Sequence, residues 1–317
     1  MPKSKLPREV WVASIDLMGL WPEKSIEKRV NDVLARMESF VGLQPDIVCL
    51  PETFPTSWVQ EKKTLNEVAE DEDSPGPITK RIAEYAKKHK CYVVSAMATK
   101  KDGHFYNSAV IIDRTGKVIG VFHKVHPTVG EIRAKKNNEE GDITPGAIRS
   151  PVFKTDFGKI GVQICYDANW LESWQYLKED GAEIVFFPSQ FPGGRILNFH
   201  AMRNQYYVVS STGEDARIVD MSGADIDSSS TFVRYVCAPI NLEKLCVPVW
   251  PIRDRFPAIF KKYGRKIFLK VFDVEGFVAI ESRDPDVKIL NVLREFGEPT
   301  YDERIKNETE IQDKYRL

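Results

Sequence analysis

The amino-acid sequence predicts an α/β layered fold with a mixed sheet. Three observations carry this expectation. Short β-rich apolar runs, such as Val10–Leu17, Ile47–Leu50 and Ile184–Phe187, alternate with segments of helical periodicity. The alternation continues to about Thr212, which favours sheets covered by helices over an all-α or all-β architecture. The 317 residues are 42% hydrophobic and 29% charged, the balance of a globular chain that buries most of its apolar surface without disulfides or structural metals.

The elements follow in order. Val10–Leu17 reads as a strand. Ser25 is placed to cap a helix running to about Phe40, with Val30, Val33, Leu34 and Met37 on one face. Ile47–Leu50 is a short buried strand, Ile78–Lys88 a helix and Tyr92–Met97 a strand. Phe105–Ile112 and Val118–Val125 form a strand pair across the turn Asp113-Arg114-Thr115-Gly116. Ile160–Ile164 is a strand, Glu172–Glu179 a helix, Ile184–Phe187 a strand, and a helix over Leu197–Gln205 leads into the strand Tyr206–Ser211. Gly213–Ser229 is polar and rich in Gly, Ser and Asp, the composition of an exposed loop. Thr231–Cys237 reads as a strand, Val271–Ile280 as a late strand pair turning at Glu275-Gly276, and Val287–Phe296 as an amphipathic helix. The charged tail from Gly297 packs on a partner or frays. A single domain over residues 1–317 is expected, with 241–270 an insertion and 297–317 a C-terminal extension. The insertion carries Pro248, Pro251 and Pro257, which argue against one long helix. Its apolar residues need burial, which places it at a site mouth or a subunit contact.

Charge and cysteine usage narrow the class. The formal net charge is −1, from 45 basic and 46 acidic residues, so nucleic acid is a poor partner. The five cysteines make no CxxC pair and their odd number suits no disulfide framework, which points to a reducing cytosol. The first residues carry no apolar stretch of signal-peptide length, and no window approaches a membrane span. A cytoplasmic protein is therefore expected, with no membrane partner. The five histidines form no metal-ligand set, and no cofactor is implied.

Three candidate catalytic residues each stand at the end of an apolar run. Ile47-Val-Cys-Leu-Pro51 delivers Glu52, Val118-Ile-Gly-Val-Phe-His123 delivers Lys124, and Ile160-Gly-Val-Gln-Ile164 delivers Cys165. Sites in open α/β sheets gather beyond strand C-terminal ends, so the three can converge. A thiol needs a base to become a nucleophile, a carboxylate can serve as that base, and an ammonium can hold the oxyanion made by attack on a carbonyl. The set fits hydrolysis at an amide-type carbonyl.

The local words Leu50-Pro51-Glu52-Thr53-Phe54, His123-Lys124-Val125-His126-Pro127 and Gly161-Val162-Gln163-Ile164-Cys165-Tyr166-Asp167 occur in that order. They resemble the three signatures of the nitrilase superfamily of carbon–nitrogen hydrolases. Tyr106-Asn107-Ser108, Thr144-Pro145-Gly146 and Asp180-Gly181-Ala182-Glu183-Ile184 with Pro188-Ser189 are similar to its intervening segments, so the likeness runs from about Val10 to Thr212. The resemblance implies a four-layer αββα sandwich, Glu52 as general base, Lys124 as oxyanion stabiliser and Cys165 as the residue that forms a thioester. It also implies a second glutamate after the lysine. Glu131, Glu139 and Glu140 are available; counting from Lys124 selects Glu131, counting back from Pro145 selects Glu139, and Glu139 is preferred. The family commonly pairs subunits, so a homodimer or higher homo-oligomer is expected. Where the family often carries Arg-Ala-x-Glu-Asn, this chain has His200-Ala-Met-Arg-Asn204, which puts a local salt bridge in doubt.

The residues after the nucleophile bear on substrate. Cys165-Tyr166-Asp167 is similar to the amidase and carbamoylase branches, and Asp167 favours amide or ureido compounds over nitriles. Asn169 and Trp170 stand where carbamoylases for amino acids often carry arginines, so a free carboxylate is disfavoured there. Tyr166, Asp167, Trp170, Gln190 and Phe191 are candidate substrate contacts, and Trp58 and Trp174 candidate members of an aromatic pocket. His123 and His126 flank the lysine and position its loop. The rival readings are nitrile hydrolysis or hydration in the same fold, a catalytically silent scaffold, and a glutaminase subunit that would need a synthetase partner.

Overall fold

The computed structural model describes residues 6–132 and 142–317. Its strands are β1 (Glu9–Ile15), β2 (Ile47–Cys49), β3 (Glu70–Asp71), β4 (Tyr92–Lys101), β5 (His104–Ile112), β6 (Val118–His123), β7 (Phe153–Lys154), β8 (Lys159–Val162), β9 (Ile184–Pro188), β10 (Tyr207–Ser211), β11 (Ala216–Val219), β12 (Asp225–Ser228), β13 (Tyr235–Asn241), β14 (Lys244–Pro248), β15 (Ile267–Phe272) and β16 (Phe277–Ser282). The helices are α1 (Ile26–Glu38), α2 (Leu65–Val68), α3 (Pro77–His89), α4 (Val129–Ile132), α5 (Glu172–Glu179), α6 (Arg195–Asn204), α7 (Val249–Ile252), α8 (Phe256–Tyr263), α9 (Ile289–Glu295) and α10 (Tyr301–Asp313). The chain divides into two compact units. One is Trp11–Ala238; the other is Pro239–Leu317 with the stretch ending at Val10.

In the larger unit one sheet has the order β13-β1-β2-β4-β5-β6, with β3 beside β4, and the other the order β12-β11-β10-β9-β8-β7. The pairs β1–β2, β2–β4, β8–β9 and β9–β10 are parallel. Helices cover the outer faces. Val30, Val33 and Met37 of α1 and Ile82 and Ala86 of α3 pack on Ala13, Ile15, Val48 and Val93 of the first sheet. Trp174 and Leu177 of α5 and Leu197 and Ala201 of α6 pack on Val185, Phe187 and Val208 of the second. The inner faces meet through small polar side chains: Ser14 Oγ donates to the Ser210 carbonyl at 2.8 Å and Ser211 Oγ to the Ile15 carbonyl at 2.6 Å. These are the four layers of an αββα sandwich.

Local chemistry explains the elements the sequence anticipated. Ser25 caps α1, its Oγ accepting from Lys28 N at 3.2 Å. Pro77 opens α3, where its missing N–H costs nothing. The turn joining β5 and β6 is held by Asp113, which bonds Lys117 and Gly116 through its backbone.

One expectation needs correction. Gly213–Ser229 is not an exposed loop: it contains β11, buried along its whole length and antiparallel to β10 and β12. Its polar look comes from residues satisfied locally. Thr212 Oγ1 and Asp215 bond each other at 2.9 Å, and Arg217 bonds Asn198 and Asp225 at 2.6 and 2.7 Å. The tail beyond Gly297 carries a helix. Thr300 and Glu303 form a capping box that starts α10, and Arg304 and Glu308 add an i,i+4 pair at 2.8 Å.

The smaller unit has its own core. β14, β16 and β15 form an antiparallel sheet, and Val247, Ile259, Val278, Ile280, Val292 and Leu293 pack together with α8 and α9. The segment 241–270 thus supplies two strands and two helices of this unit, and its prolines divide the helical part as anticipated, with Pro257 in the first turn of α8.

Candidate active site

Three strand ends of the larger unit deliver the site. β2 continues through Leu50, whose N–H donates to the Val94 carbonyl at 2.9 Å, into Pro51 and Glu52. Thr53 then takes a positive φ of 45°, turning the chain away and leaving Glu52 buried at the strand tip. Lys124 follows β6. Its N–H donates to the Asn107 carbonyl and its carbonyl accepts from Gly146, both at 2.8 Å. Position 146 needs glycine: a Cβ there would lie 2.3 Å from the His123 carbonyl oxygen. Cys165 follows β8 and has a φ of 52°. A non-glycine residue held there is strained by on the order of 1–3 kcal/mol, and the sharp turn presents the thiol beyond the strand end.

The charged groups form one buried network. Lys124 is only 2% exposed. Its Nζ donates to Glu52 Oε1 at 2.8 Å and to Glu131 Oε2 and Oε1 at 3.0 and 3.2 Å. Asn107 Nδ2 donates to the same two carboxylates, to Glu52 Oε1 at 2.8 Å and Glu131 Oε1 at 2.9 Å. Gln190 N donates to Glu52 Oε2 at 3.0 Å. Glu131 is fixed from its own helix: Thr128 N donates to Glu131 Oε2 at 2.6 Å and Thr128 Oγ1 accepts from Glu131 N at 3.3 Å, a capping box around α4.

The electrostatics set the protonation states. Burial and then the Glu52 charge push the Cys165 thiol up, outweighing Lys124 and the bonds from Ser189 and the Gln190 backbone, to about 12. The resting sulfur at neutral pH is therefore a thiol that needs a base. Burial pulls Lys124 down, but the facing Glu52, Cys165 and Glu131 charges overcome it and raise its pKa. Burial raises Glu131, and Lys124, Asn107 and Thr128 together reverse this and lower it. An ammonium is thus held between two carboxylates beside a protonated thiol.

The sequence-derived site residues separate into groups. Glu52, Lys124 and Cys165 are brought together. Glu139, preferred as the second glutamate, lies outside the described residues, as does Glu140; among the described residues the Glu131 carboxylate meets Lys124. The signal for it was the word Thr128-Val-Gly-Glu131, a capping-box pattern that fixes the glutamate at the start of a helix. Tyr166, Trp170 and Phe191 are each about two-fifths exposed, with Trp170 stacked on His126 at 3.9 Å and edge-on to Tyr166 at 5.2 Å. Gln190 ties the two loops together. Its Nε2 donates to the Glu52 carbonyl and to Ser57 Oγ, and its Oε1 accepts from Trp58 Nε1 at 3.3 Å.

Asp167 differs from its expected place at the substrate. It is fully buried. Its carboxylate accepts from His126 N at 2.7 Å, Ile164 N at 2.8 Å and Val125 N at 3.4 Å, clamping the lysine loop to the cysteine loop. His126 Nδ1 lies 3.1 Å from the same carboxylate, and His123 pairs with Glu72 at 2.6 Å, so each histidine braces one side of Lys124. Asp167→Asn is expected to leave backbone donors facing an NH₂ group and to lower stability by about 1–3 kcal/mol. An unchanged melting temperature would sink this role. Trp174 also leaves the pocket: it is a core residue, stacked on His200 at 4.0 Å. His200 in turn bonds the Ala168 carbonyl at 2.9 Å, so a neutral contact stands where a salt bridge was in doubt. Among the described residues no cluster of His, Cys, Asp and Glu has the makings of a metal site.

Comparison with known proteins agrees with this architecture. Residues 18–241 match the carbon–nitrogen hydrolase family. The structure superposes on Nit3 of Saccharomyces cerevisiae, described as a member of branch 10 of the nitrilase superfamily, with a TM-score of 0.63 at 20% identity, covering 76% of this chain and 93% of that one. The chain belongs to the carbon–nitrogen hydrolase family. It is 38% identical over 154 residues to the beta-ureidopropionase of Arabidopsis thaliana, a match over 47% of this chain that spans only 36% of that protein's length. It is 28% identical over 231 residues to omega-amidase NIT2 of Xenopus tropicalis, covering 67% of this chain and 80% of that protein.

Proposed function

We propose that this protein hydrolyses a non-peptide carbon–nitrogen bond, in an amide or N-carbamoyl compound, through a thioester on Cys165. The observation that carries this reading is the buried Lys124 ammonium bridging Glu52 and Glu131 beside the thiol. Cys165 Sγ attacks the substrate carbonyl as its proton passes to Glu52. An ammonium has three N–H groups; Lys124 directs two at the carboxylates and keeps one for the oxyanion that develops. The tetrahedral species collapses, the C–N bond breaks, and Glu52 returns the proton to the departing nitrogen. Water then attacks the thioester, gives up a proton to the carboxylate, and releases the acid while the proton returns to sulfur.

Glu131 is the second glutamate in this scheme, because its carboxylate accepts from Lys124 Nζ at 3.0 Å. Glu131→Gln is expected to lower kcat by about 100-fold or more, with Glu139→Gln close to the parent rate. The reverse ranking would return the role to Glu139.

The exposed faces of Tyr166, Trp170 and Phe191 support a substrate with a flat or apolar body, and Asn169 and Trp170 in place of arginines support one without a carboxylate at that position. The names of the two relatives, a ureidopropionase and an amidase, support amide and ureido compounds. A panel of amides, ureides and nitriles tests the reading: turnover of an amide or ureide is expected. Turnover confined to nitriles would favour the nitrile chemistry instead.

A further inference from the structure

We infer that Asn107 is a positioning residue that yokes the two site glutamates, holding both carboxyl groups aligned around Lys124. The inference rests on the proposed hydrolytic role of the site and goes beyond its thiol, lysine and glutamates.

The geometry is specific. Asn107 lies on β5, one strand in from β6, and its carbonyl accepts from Lys124 N at 2.8 Å. Its side chain therefore starts from the backbone that fixes the lysine. Both Nδ2 hydrogens are used, one on Glu52 Oε1 at 2.8 Å and one on Glu131 Oε1 at 2.9 Å. Lys124 Nζ reaches the same two oxygen atoms, at 2.8 and 3.2 Å. Each Oε1 is thus gripped twice, by a cation and by a neutral donor, and a closed ring of contacts joins four side chains. The amide orientation follows from chemistry. Two ionised carboxylates accept only, so the face toward them must be the NH₂ group.

The other end of the amide argues that this is not incidental packing. Asn107 is buried, and among the described residues its Oδ1 has no hydrogen-bond partner. A buried orphan acceptor is unfavourable, and a purely structural position would be as well filled by an apolar side chain. What the amide supplies is a neutral double donor. A second cation there would satisfy both carboxylates but would also draw the thiol proton away without a base. An apolar residue would leave two carboxylates sharing one ammonium. Among the described residues, the titratable groups that face the two glutamates are Lys124 from the end of β6 and Cys165 from the turn after β8. His123 is engaged by Glu72, and His126 by Asp167.

The test uses iodoacetamide on the full chain, with alkylation of Cys165 followed by peptide mass across pH. Because the thiol sits near 12, reaction around neutrality runs through a carboxylate base, and the rate falls in acid. Asn107→Leu removes both donors and is expected to move the midpoint of that acid limb up by about one pH unit, the scale of a charge-assisted hydrogen bond. Asn107→Ser keeps one donor, and a smaller shift in the same direction is expected. Melting temperatures are taken in parallel. If Asn107→Leu does not fold, Asn107→Ser decides alone. An unmoved midpoint in the folded variants, or a loss equal at every pH, overturns the inference. Failure of the underlying function looks different: Cys165 would then show no selective alkylation in the parent chain, or alkylation indifferent to Glu52→Gln.

Discussion

Cys165→Ala is expected to abolish hydrolysis while leaving the fold intact. Alanine has no group to attack a carbonyl, and loss of the nucleophile costs on the order of 10⁶-fold in a hydrolase whose groups act as a unit. The stability effect is small, at most about 1 kcal/mol, because only a sulfur atom is removed and the backbone conformation is retained. Selective alkylation should vanish with it. Cys49, Cys91 and Cys246 are buried in the fold, so none of them replaces it. A variant that kept a large fraction of parent turnover on the same substrate would remove Cys165 from the chemistry.

Lys124→Met is expected to have the second largest effect, and on two observables. Removing an oxyanion donor costs about 100- to 1000-fold in kcat. Breaking a buried ion pair on one side also leaves Glu52 and Glu131 facing each other, a destabilisation of about 3–5 kcal/mol at neutral pH. The sign of the pH dependence separates the two. In the parent chain Glu131 has a depressed pKa, so its contribution is present above the unfolded value and is lost as pH falls through the folded value. In the variant, burial and like charge raise a carboxyl above its unfolded value. Its contribution is then present at low pH and lost as pH rises through the folded value. The stability gap between variant and parent should therefore narrow on acidification, while the catalytic loss remains. A normal rate in the folded fraction would assign Lys124 a structural role alone.

Much of this arrangement was legible in the residues. The strand ends carrying Glu52, Lys124 and Cys165 stood out because a buried strand must shed its apolar character where it leaves the sheet, and a charged residue there is visible at once. Ser25 as a cap and Pro77 as a helix opener act within one turn, so short-range pattern captured them. Other features depended on contacts distant in sequence. Asp167 looked like a substrate contact because it adjoins the nucleophile; its real partners, Val125 and His126, come from another strand end. Trp174 looked like a pocket residue by proximity to Cys165, yet α5 turns it inward onto His200. β11 was hidden because its flanking aspartates are consumed by local turns, which composition cannot distinguish from solvation. Glu131 and Glu139 both satisfied a spacing rule, and the helix cap from Thr128 is the local feature that distinguishes Glu131. Asn107 carries its role entirely in the third dimension, between two carboxylates delivered by different elements.

The most direct measurement is intact-protein and peptide mass spectrometry after brief exposure of the full chain to amides, ureides and a slowly released acyl analogue. The expected result is a mass increase equal to the acyl group on the peptide containing Cys165, absent from Cys165→Ala and accumulating in Glu131→Gln, where water attack is slowed. Turnover of a substrate with no acyl adduct under any quench, or an adduct on another cysteine that persists in Cys165→Ala, would contradict the thioester route.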